Sequence, residues 1–261
     1  HAVKAGAVVI DNSSAFRMDP EVPLVVPEVN PQAILKHKGI IANPNCSTII
    51  MVMALKPIYD LAKIKRVIVS TYQAVSGAGK EGIDELDAQV REHSEGREMT
   101  ANILPSSSAE KHYPIAFNLI PQIDVFCDNL YTKEEMKMVN ETKKIMEDYE
   151  MRITATTIRV PVYRSHSESV NIELEKEVDL GAMREALAKF PGVTVQDDPS
   201  KQEYPMPLYT SEKDDVYVGR LRRDESCEKS YNMWVVGDQI RKGAALNTLQ
   251  IAETMIKNGW I

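Results

Sequence analysis

One cysteine of this chain, Cys46, lies in a context that favours nucleophilic chemistry. It follows the turn-forming Asn-Pro-Asn run of residues 43–45 and precedes an apolar run of helical character, residues 49–61. The thiol is therefore expected at or just before a helix N-terminus, where free backbone N–H groups and the helix dipole favour the thiolate. A thiolate can attack an acyl carbon and form a covalent intermediate. From this segment alone, the alternative is a buried structural cysteine that opens a core helix.

A second segment, residues 159–167, carries an arginine and a histidine on either side of a predicted turn. His166 is able to exchange protons with a cysteine near neutral pH, and Arg159 offers a planar fork for a carboxylate. Taken alone, His166 is better explained as a polar loop histidine. Cysteine, histidine and arginine far apart in sequence are compatible with a thiol enzyme and do not establish one.

Composition is ordinary for a soluble globular protein. The chain has 261 residues, of which 43% are hydrophobic and 26% are charged, and this length allows two domains. The net charge of −7 argues against a nucleic-acid-binding surface. Three cysteines do not make a disulfide framework and indicate reduced thiols in the cytoplasm. No signal peptide, no membrane-spanning run and no metal-ligand spacing of Cys and His is present.

Residues 5–45 alternate short β-rich runs with turns, which is typical of the later part of a doubly wound α/β domain. The runs begin at Ala7, Pro23 and Gly39, and a short helical piece covers residues 31–37. Further helices are predicted over residues 81–93, 132–149, 180–190 and from 242 onward, and strands over 66–75, 153–162, 169–174, 216–222 and 232–236. These elements predict an α+β domain with a sizeable mixed sheet. The polar, Pro/Ser-rich residues 94–114 predict a long surface excursion.

Six blocks in a fixed order resemble the aspartate-β-semialdehyde dehydrogenase family. They are residues 11–17, 43–48, 73–79, 117–124, 159–166 and 244–248. The resemblance implies a Rossmann-type NADP-binding domain joined to a mixed-sheet catalytic and dimerisation domain. We expect the remaining part of the nucleotide-binding domain over residues 1–45 and the catalytic and dimerisation domain over residues 46–240. Residues 241–261 are expected to form a C-terminal helix that returns to the nucleotide-binding domain.

The family's Gly-rich dinucleotide-binding turn has no counterpart in this sequence. The run Ser76-Gly77-Ala78-Gly79 follows the wrong strand and has the wrong spacing. The chain also begins without methionine, almost directly at a strand-like run. We therefore expect that the family's first nucleotide-binding segment is missing and that the chain as given binds NADP poorly.

The resemblance also implies a reaction and a set of site residues. The reaction is the reversible reduction of L-aspartyl-4-phosphate by NADPH to aspartate semialdehyde and phosphate through a cysteine thioester, in lysine, threonine and methionine biosynthesis. By motif position, Cys46 is the nucleophile, His166 is the general acid/base and Gln73 orients the intermediate. The expected ligands are Arg159 for the substrate's α-carboxylate, Glu134 for its ammonium group, Arg17, Asn45 and Lys137 for phosphate, and Ser76, Gly77 and Asn247 for the nicotinamide side of NADP.

Three alternatives stay open at this point. N-acetyl-γ-glutamyl-phosphate reductase shares the thiol and histidine chemistry, but Glu134 suits a free ammonium group better than an acetamide. An acyl-CoA reductase is a second enzyme alternative, against which the phosphate ligands Arg17 and Lys137 argue. A non-catalytic oligomerisation fragment is the third. The resemblance also implies a homodimer or homotetramer, with the sheet of the second domain at the interface.

Overall fold

Two short parallel strands, β1 (Val9–Asp11) and β2 (Ile40–Ala42), form the first sheet of the computed structural model, which describes all 261 residues. A 3-10 helix, Pro31–Lys36, lies between them in sequence, as predicted. The strand predicted from Pro23 does not form, and only Leu24 bridges to Ala42. Two prolines, Pro23 and Pro27, flank this run and have no N–H to donate to a strand ladder.

The second sheet has six strands in the spatial order β4-β3-β5-β8-β7-β6. β3 pairs in parallel with β4 and β6 pairs in parallel with β7, whereas the other neighbours are antiparallel. The strands are β3 (Ile64–Gln73), β4 (Arg152–Arg159), β5 (His166–Leu174), β6 (Val193–Val195), β7 (Val216–Arg223) and β8 (Ser230–Gly237). This mixed sheet, next to the parallel β1–β2 pair, confirms the predicted fold class. The three-residue strand β6 was not predicted.

Six α-helices accompany the sheets: α1 (Cys46–Leu61), α2 (Lys80–Ser94), α3 (Lys133–Met146), α4 (Leu180–Lys189), α5 (Pro207–Thr210) and α6 (Leu246–Lys257). α1 contacts α3, α4 and the central strands, so these three helices cover one face of the six-stranded sheet. The side chains from Ile49 to Leu55 are completely buried. A helix that is apolar on all sides is stable only inside a core, which is where α1 lies. None of the helices is long and apolar enough to cross a membrane.

The opposite face of this sheet carries small polar and aromatic side chains. Ser70, Ser169 and Trp234 lie side by side across β3, β5 and β8, and Thr156 of β4 continues the row. Thr156 and Ser169 are exposed. The Tyr72 and Trp234 rings lie 5.5 Å apart, between their centroids, on the same face. We call this surface the open sheet face.

Helix α3 begins as its sequence predicts. The Thr132 hydroxyl accepts the N–H of Glu135 at 3.2 Å, and the Glu135 carboxylate accepts the N–H of Thr132 at 2.7 Å. This reciprocal pair is a capping box, which a threonine followed three positions later by a glutamate predicts at a helix start. The helix ends at Met146, earlier than predicted, because Glu147 adopts a left-handed conformation with φ of 52°.

Residues 95–132 form no helix or strand, in line with the predicted surface excursion. Two side chains of helix α2 hold this segment by accepting hydrogen bonds from the backbone N–H groups of the segment. One carboxylate oxygen of Glu85 accepts the N–H groups of Asn102 and Ile103 at 2.7 and 3.0 Å. The amide oxygen of Gln89 accepts the N–H groups of Ile115 and Ala116 at 2.8 and 3.0 Å. The excursion is therefore held against α2, and a bridge between Ile120 and Arg159 joins it to the end of β4.

The C-terminal segment connects the two sheets. A π-helical turn, Arg241–Ala245, leads into α6, which contacts β1 and the 3-10 helix Pro31–Lys36. Ile34, Ile41, Ile251 and Met255 form an apolar cluster between them. The last helix therefore packs on the first sheet, while the domain limits given above stay a prediction.

Candidate active site

Cys46 is the first residue of α1, and Asn45 is its N-cap. The Asn45 Oδ1 atom accepts the N–H of Thr48 at 3.2 Å, while Nδ2 donates to Glu134 Oε1 at 2.9 Å. A Cβ atom added to Gly243 would lie 3.0 Å from the Cβ of Cys46, so the C-terminal segment passes directly beside the cysteine. The predicted position at a helix N-terminus is confirmed.

The expectation of a thiolate is wrong for the substrate-free site. Burial of the thiol and the negative charge of Glu134 raise the pKa of Cys46 to about 12. The Ser47 N–H and the cations Arg159 and Arg17 lower this pKa, but they do not outweigh burial. The Cys46 residue as a whole is half-buried. The free site therefore holds a neutral thiol at pH 7.

His166 is completely buried at the first position of β5, and Arg159 is the last residue of β4, so the two residues lie on either side of the turn between these strands, as predicted. The His166 Nδ1 atom accepts the N–H of Ala74 at 3.1 Å, which places the proton of the neutral ring on Nε2. Burial and the charge of Arg159 lower the pKa of His166 well below its usual value. The Nε2 atom has no protein partner. His166 is therefore a neutral ring with one free hydrogen-bond donor.

Glu134 of α3 collects three donors at the end of β3. Its Oε1 atom accepts from Gln73 Nε2 at 3.2 Å, in addition to the Asn45 contact described above. Its Oε2 atom accepts from Lys137 Nζ at 3.2 Å, and Lys137 also donates to Asp124 Oδ2 at 3.0 Å. Glu134 and Lys137 lie three positions apart on α3 and therefore share one helix face. Asp124 was not singled out by the sequence analysis, although it ends one of the six matching blocks.

Arg159 ends β4 and is 3% exposed. Its Nη1 atom donates to the carbonyl oxygen of Ala74 at 2.7 Å, while its Nε atom is buried without a partner. A Cβ atom at Gly77 would lie 2.6 Å from Arg159 Nη1 and 3.3 Å from His166 Nε2. Only glycine at this position lets the turn Val75–Ala78 lie against both side chains.

A glutamine that the sequence analysis missed connects this turn to His166. The Gln239 side chain donates from Nε2 to Ser76 Oγ and accepts the N–H of Ser165 at 2.9 Å. Ser165 directly precedes His166 and has a positive φ of 74°, which is uncommon for serine. No local pattern identifies Gln239, because its partners are 163 and 74 residues away.

Asn247 is completely buried at the start of α6. Its Oδ1 atom accepts from Lys242 Nζ at 3.0 Å, and its Nδ2 atom donates to the oxygen of Val25 at 3.0 Å and to Asn43 Oδ1 at 2.7 Å. Both amide hydrogens are therefore used within the protein. The predicted contact between Asn247 and the nicotinamide side of NADP stays a prediction. It requires Asn247 to give up one of these hydrogen bonds for one to the cofactor.

Arg17 is 9% exposed and lies between the two sheets. Its Nε atom donates to the Asn43 oxygen at 2.9 Å, Nη2 donates to the Asn12 oxygen at 3.1 Å, and Nη1 donates to Glu141 Oε1 at 3.2 Å. Glu141 was also missed, although it follows Glu134 by seven positions and therefore shares its helix face.

Two adjoining clefts share Lys137. The first has a volume of about 270 Å³ and is lined by Gly77, Ser106, Asp124, Glu134 and Arg159. The second has a volume of about 190 Å³ and is lined by Ser14, Arg17, Lys133 and Glu141. The charges of Glu134, Arg159 and Arg17, which line these clefts, all act on the pKa of the Cys46 thiol. No group of three His, Cys, Asp or Glu side chains has an arrangement that could hold a metal ion.

Comparison with known proteins gives consistent results. The family described as semialdehyde dehydrogenase, dimerisation domain, matches residues 55–242, and the semialdehyde dehydrogenase NAD binding domain matches residues 1–37. The aspartate-semialdehyde dehydrogenase of Aquifex aeolicus is 56% identical over 260 residues, which cover 99% of this chain and 75% of the relative. That of Bacillus subtilis is 54% identical, with coverage of 98% and 74%.

Two solved structures extend this comparison. Aspartate semialdehyde dehydrogenase II of Vibrio cholerae, complexed with ASA, superposes with a TM-score of 0.92 at 47% identity and covers 98% of this chain and 74% of its own. The enzyme of Candida albicans with NADP gives a TM-score of 0.74 at 25% identity, with coverage of 99% and 73%. The chain thus spans about three quarters of the length of its relatives. On this evidence, the chain belongs to the aspartate-semialdehyde dehydrogenase family.

Proposed function

We propose that Cys46, His166 and Gln73 carry the reaction of this family in this chain. That reaction is the NADP-dependent interconversion of L-aspartyl-4-phosphate and L-aspartate 4-semialdehyde through a cysteine thioester, in amino-acid biosynthesis. One observation carries the proposal: a cysteine at a helix N-terminus adjoins an arginine and a glutamate that each keep binding capacity for the two charged ends of an amino acid.

Arg159 and Glu134 are the proposed ligands of the amino-acid part of the substrate. The buried Nε atom of Arg159 has no partner, so a carboxylate can supply the acceptor that the protein does not. Glu134 Oε2 accepts only from Lys137, which leaves room for a substrate ammonium group. A carboxylate at this position supports a free amine over an acetamide, and therefore aspartate semialdehyde over an N-acetylated substrate.

The phosphate group is assigned to the second cleft. Arg17 and Lys137 bring two cations to it, and Lys137 lies at its junction with the amino-acid cleft. Asn45 retains one amide hydrogen beyond its contact with Glu134. This division places the carboxylate, amine and phosphate ends of aspartyl phosphate on different groups around Cys46.

In the proposed mechanism, the Cys46 sulfur attacks the acyl carbon of aspartyl phosphate, the C–O bond to phosphate breaks, and a thioester forms. The thiol proton passes to the departing phosphate during the attack, since the free site holds the protonated form of Cys46. His166 Nε2–H donates to the thioester oxygen, which becomes the hemithioacetal alkoxide when the carbon accepts a hydride. The carbonyl then re-forms as the C–S bond breaks, which gives the aldehyde and a Cys46 sulfur that takes up a proton from water. The geometry supports the donor half of the predicted acid/base role, and the base half stays a prediction.

NADP supplies or accepts the hydride when it is bound. The turn Val75–Ala78 fits the nicotinamide side, because Gly77 leaves the space that a Cβ would fill beside His166 and Arg159. Ser76 and Gly77 would hold this part of the cofactor, with Asn247 in support. His166 Nε2, a buried donor without a protein partner, lies at the same place.

A homodimer, or a homotetramer built from it, is proposed through the open sheet face. The dimerisation-domain match covers the whole six-stranded sheet, and helices cover its other face. A second copy of the chain is therefore the proposed occupant of the row Thr156, Ser70, Ser169 and Trp234. The cytoplasmic location stays a prediction of the sequence analysis.

The test uses a protein that carries this chain together with the family's dinucleotide-binding segment. It follows NADPH formation from NADP with L-aspartate semialdehyde, with and without phosphate, beside N-acetylglutamate semialdehyde and beside coenzyme A in place of phosphate. We expect phosphate-dependent activity on the aspartate compound alone. Activity only on the acetylated compound would contradict the role of Glu134, and activity only with coenzyme A would contradict the phosphate site. No activity on any of them would favour a non-catalytic oligomerisation role.

A further inference from the structure

Glu141 is a buried carboxylate between the phosphate-side arginine and the nucleophile. It is 1% exposed, its Oε1 atom accepts from Arg17 Nη1 at 3.2 Å, and its Oε2 atom accepts the backbone N–H of Asn45 at 2.6 Å. Asn45 directly precedes Cys46 and caps its helix. One side chain thus holds two parts of the site that are far apart in sequence.

The contact with Glu141 decides which hydrogens of Arg17 stay free. A guanidinium has five N–H bonds in a rigid plane. Glu141 and the backbone oxygens of Asn43 and Asn12 take one each from Nη1, Nε and Nη2. One hydrogen therefore remains on each terminal nitrogen, and both are available to a bound anion.

The position of Glu141 on α3 strengthens this argument. Glu134, Lys137 and Glu141 follow one another at spacings of three and four, so one face of α3 carries all three toward the site. Burial raises the pKa of Glu141, and its contacts with Arg17 and the Asn45 N–H oppose this effect. Burial of a carboxylate is costly unless donors compensate its charge, so Glu141 depends on both Arg17 and the Asn45 N–H. Each of these donors in turn depends on Glu141 as its acceptor.

We infer that Glu141 is a positioning residue that orients Arg17 toward the transferred phosphate and holds the backbone turn in front of Cys46. This inference rests on the proposed phosphate site. Glu141 acts through Arg17 and Asn45 and does not bind the phosphate itself, because its carboxylate is 1% exposed and has the same sign of charge as the phosphate.

The variant Glu141→Gln tests this role, because an amide offers one acceptor where the carboxylate offers two. The KM for phosphate, measured with saturating aspartate semialdehyde and NADP, should rise about tenfold, since a hydrogen bond to a charged group is of that order. The KM for aspartate semialdehyde should change less than about twofold, because Arg159 and Glu134 keep their partners. A lower KM for phosphate would show that Glu141 acts as a repelling charge and would overturn the inference.

Glu135→Gln is the matched control. Glu135 lies on the same helix, is also buried, and also accepts one hydrogen bond with each carboxylate oxygen, from the backbone N–H groups of Thr132 and Thr157 at 2.7 and 3.0 Å. Both variants should lower the melting temperature, but only Glu141→Gln should raise the KM for phosphate. If Glu141→Gln does not fold, Glu141→Asp, which keeps the charge and shortens the reach, should show the same split to a smaller degree.

The variant Arg17→Ala distinguishes a failure of the proposed phosphate site from a failure of the inferred role of Glu141. If Arg17→Ala alone leaves the KM for phosphate unchanged, the proposed phosphate site is wrong. If Arg17→Ala raises this KM and Glu141→Gln does not, only the role of Glu141 is wrong. We expect both to raise it, and we expect Glu141→Gln to add little when Arg17 is absent, because a positioning residue acts through the residue it positions.

Discussion

At the scale of single residues, Cys46 and His166 are both neutral in the free site. The Cys46 thiol therefore loses its proton only when substrate is bound. The thiol pKa is raised to about 12, and the histidine pKa is lowered well below its usual value. Both shifts have burial as their largest cause, and both favour the neutral form. A resting site without charge on sulfur or imidazole is protected from unspecific alkylation and oxidation.

Alkylation of Cys46 by iodoacetamide should therefore be slow at pH 7 and should rise about tenfold per pH unit up to pH 9, as the thiolate fraction does. Mass spectrometry of the labelled peptide measures the rate. Cys46→Ala should lose this label and all turnover, while Cys127 and Cys227 remain as internal references. A rate that is already independent of pH at pH 7 would show that the thiol ionises in the free site.

Glu168 is a buried carboxyl group outside the proposed mechanism. It is completely buried on β5, neither of its oxygens has a partner, and burial raises its pKa well above the usual value. The folded chain therefore holds this proton at pH values where the unfolded chain has lost it. Folding stability falls as pH rises above the unfolded pKa of about 4.3, until the folded pKa is reached.

Glu168→Gln should remove this dependence, since an amide does not ionise. The free energy of unfolding of the variant, relative to the parent, should increase by about 1.4 kcal/mol per pH unit in the first units above pH 5. Urea unfolding at pH 5, 6 and 7 measures it. Glu173→Gln is the control, because contacts with Lys65 lower the pKa of this half-buried carboxylate and no gain with pH is expected. If the difference in the free energy of unfolding between Glu168→Gln and the parent does not grow with pH, the ionisation of Glu168 does not destabilise the fold and this prediction is wrong.

At the scale of secondary-structure elements, the site depends on the start of α1 meeting one face of α3. Asn45 makes this junction, because its side chain caps α1 with Oδ1 and binds Glu134 with Nδ2. A capping residue stabilises only its own helix, whereas Asn45 also fixes a substrate ligand on another helix. The start of α1 therefore has a structural and a functional role.

Asn45→Ala should lower the free energy of unfolding by about 1 kcal/mol, as the loss of an N-cap does. It should also lower kcat/KM for aspartate semialdehyde by at least about tenfold, because Glu134 loses a donor that orients it. Asp179→Ala is the matched variant, since Asp179 caps α4 by accepting the N–H of Ala182 at 3.1 Å. It should lose similar stability and keep its activity. Equal loss of activity in both variants would mean that only stability matters.

At the scale of the whole molecule, the six-stranded sheet has one face in the core and one face without a covering layer. Ser169→Arg would place a charge at the centre of the open sheet face, next to Ser70 and Trp234. We expect sedimentation velocity at micromolar concentration to show dimers for the parent chain and monomers for this variant. Ala188→Arg adds the same charge to an exposed position of α4 and should stay dimeric. A Ser169→Arg dimer would move the interface elsewhere.

Features that depend on neighbouring residues were predictable from the sequence. The N-cap at Asn45 and the capping box at Thr132 arise from hydrogen bonds over three residues, so the order of residue types is sufficient. The motif order placed Cys46, Gln73, Glu134, Arg159 and His166, and the structure brings these side chains or their contacts into one site. The strand predicted from Pro23 was wrong. That prediction relied on the apolar residues of the run and gave too little weight to its two prolines, which have no N–H to donate to a strand ladder.

The tertiary structure decided the properties that depend on distant segments. Glu141 reaches Arg17 across 124 positions and the Asn45 N–H across 96, and no sequence pattern records such partners. The thiol pKa follows from how tightly other segments enclose Cys46, and this reversed the expectation drawn from its helix N-terminus alone. By itself, the sequence determined which groups are present and which local hydrogen bonds form. Only the tertiary structure decided which charged groups lie close together and how far they remain exposed to solvent, because burial and Coulomb interactions depend on distance in space.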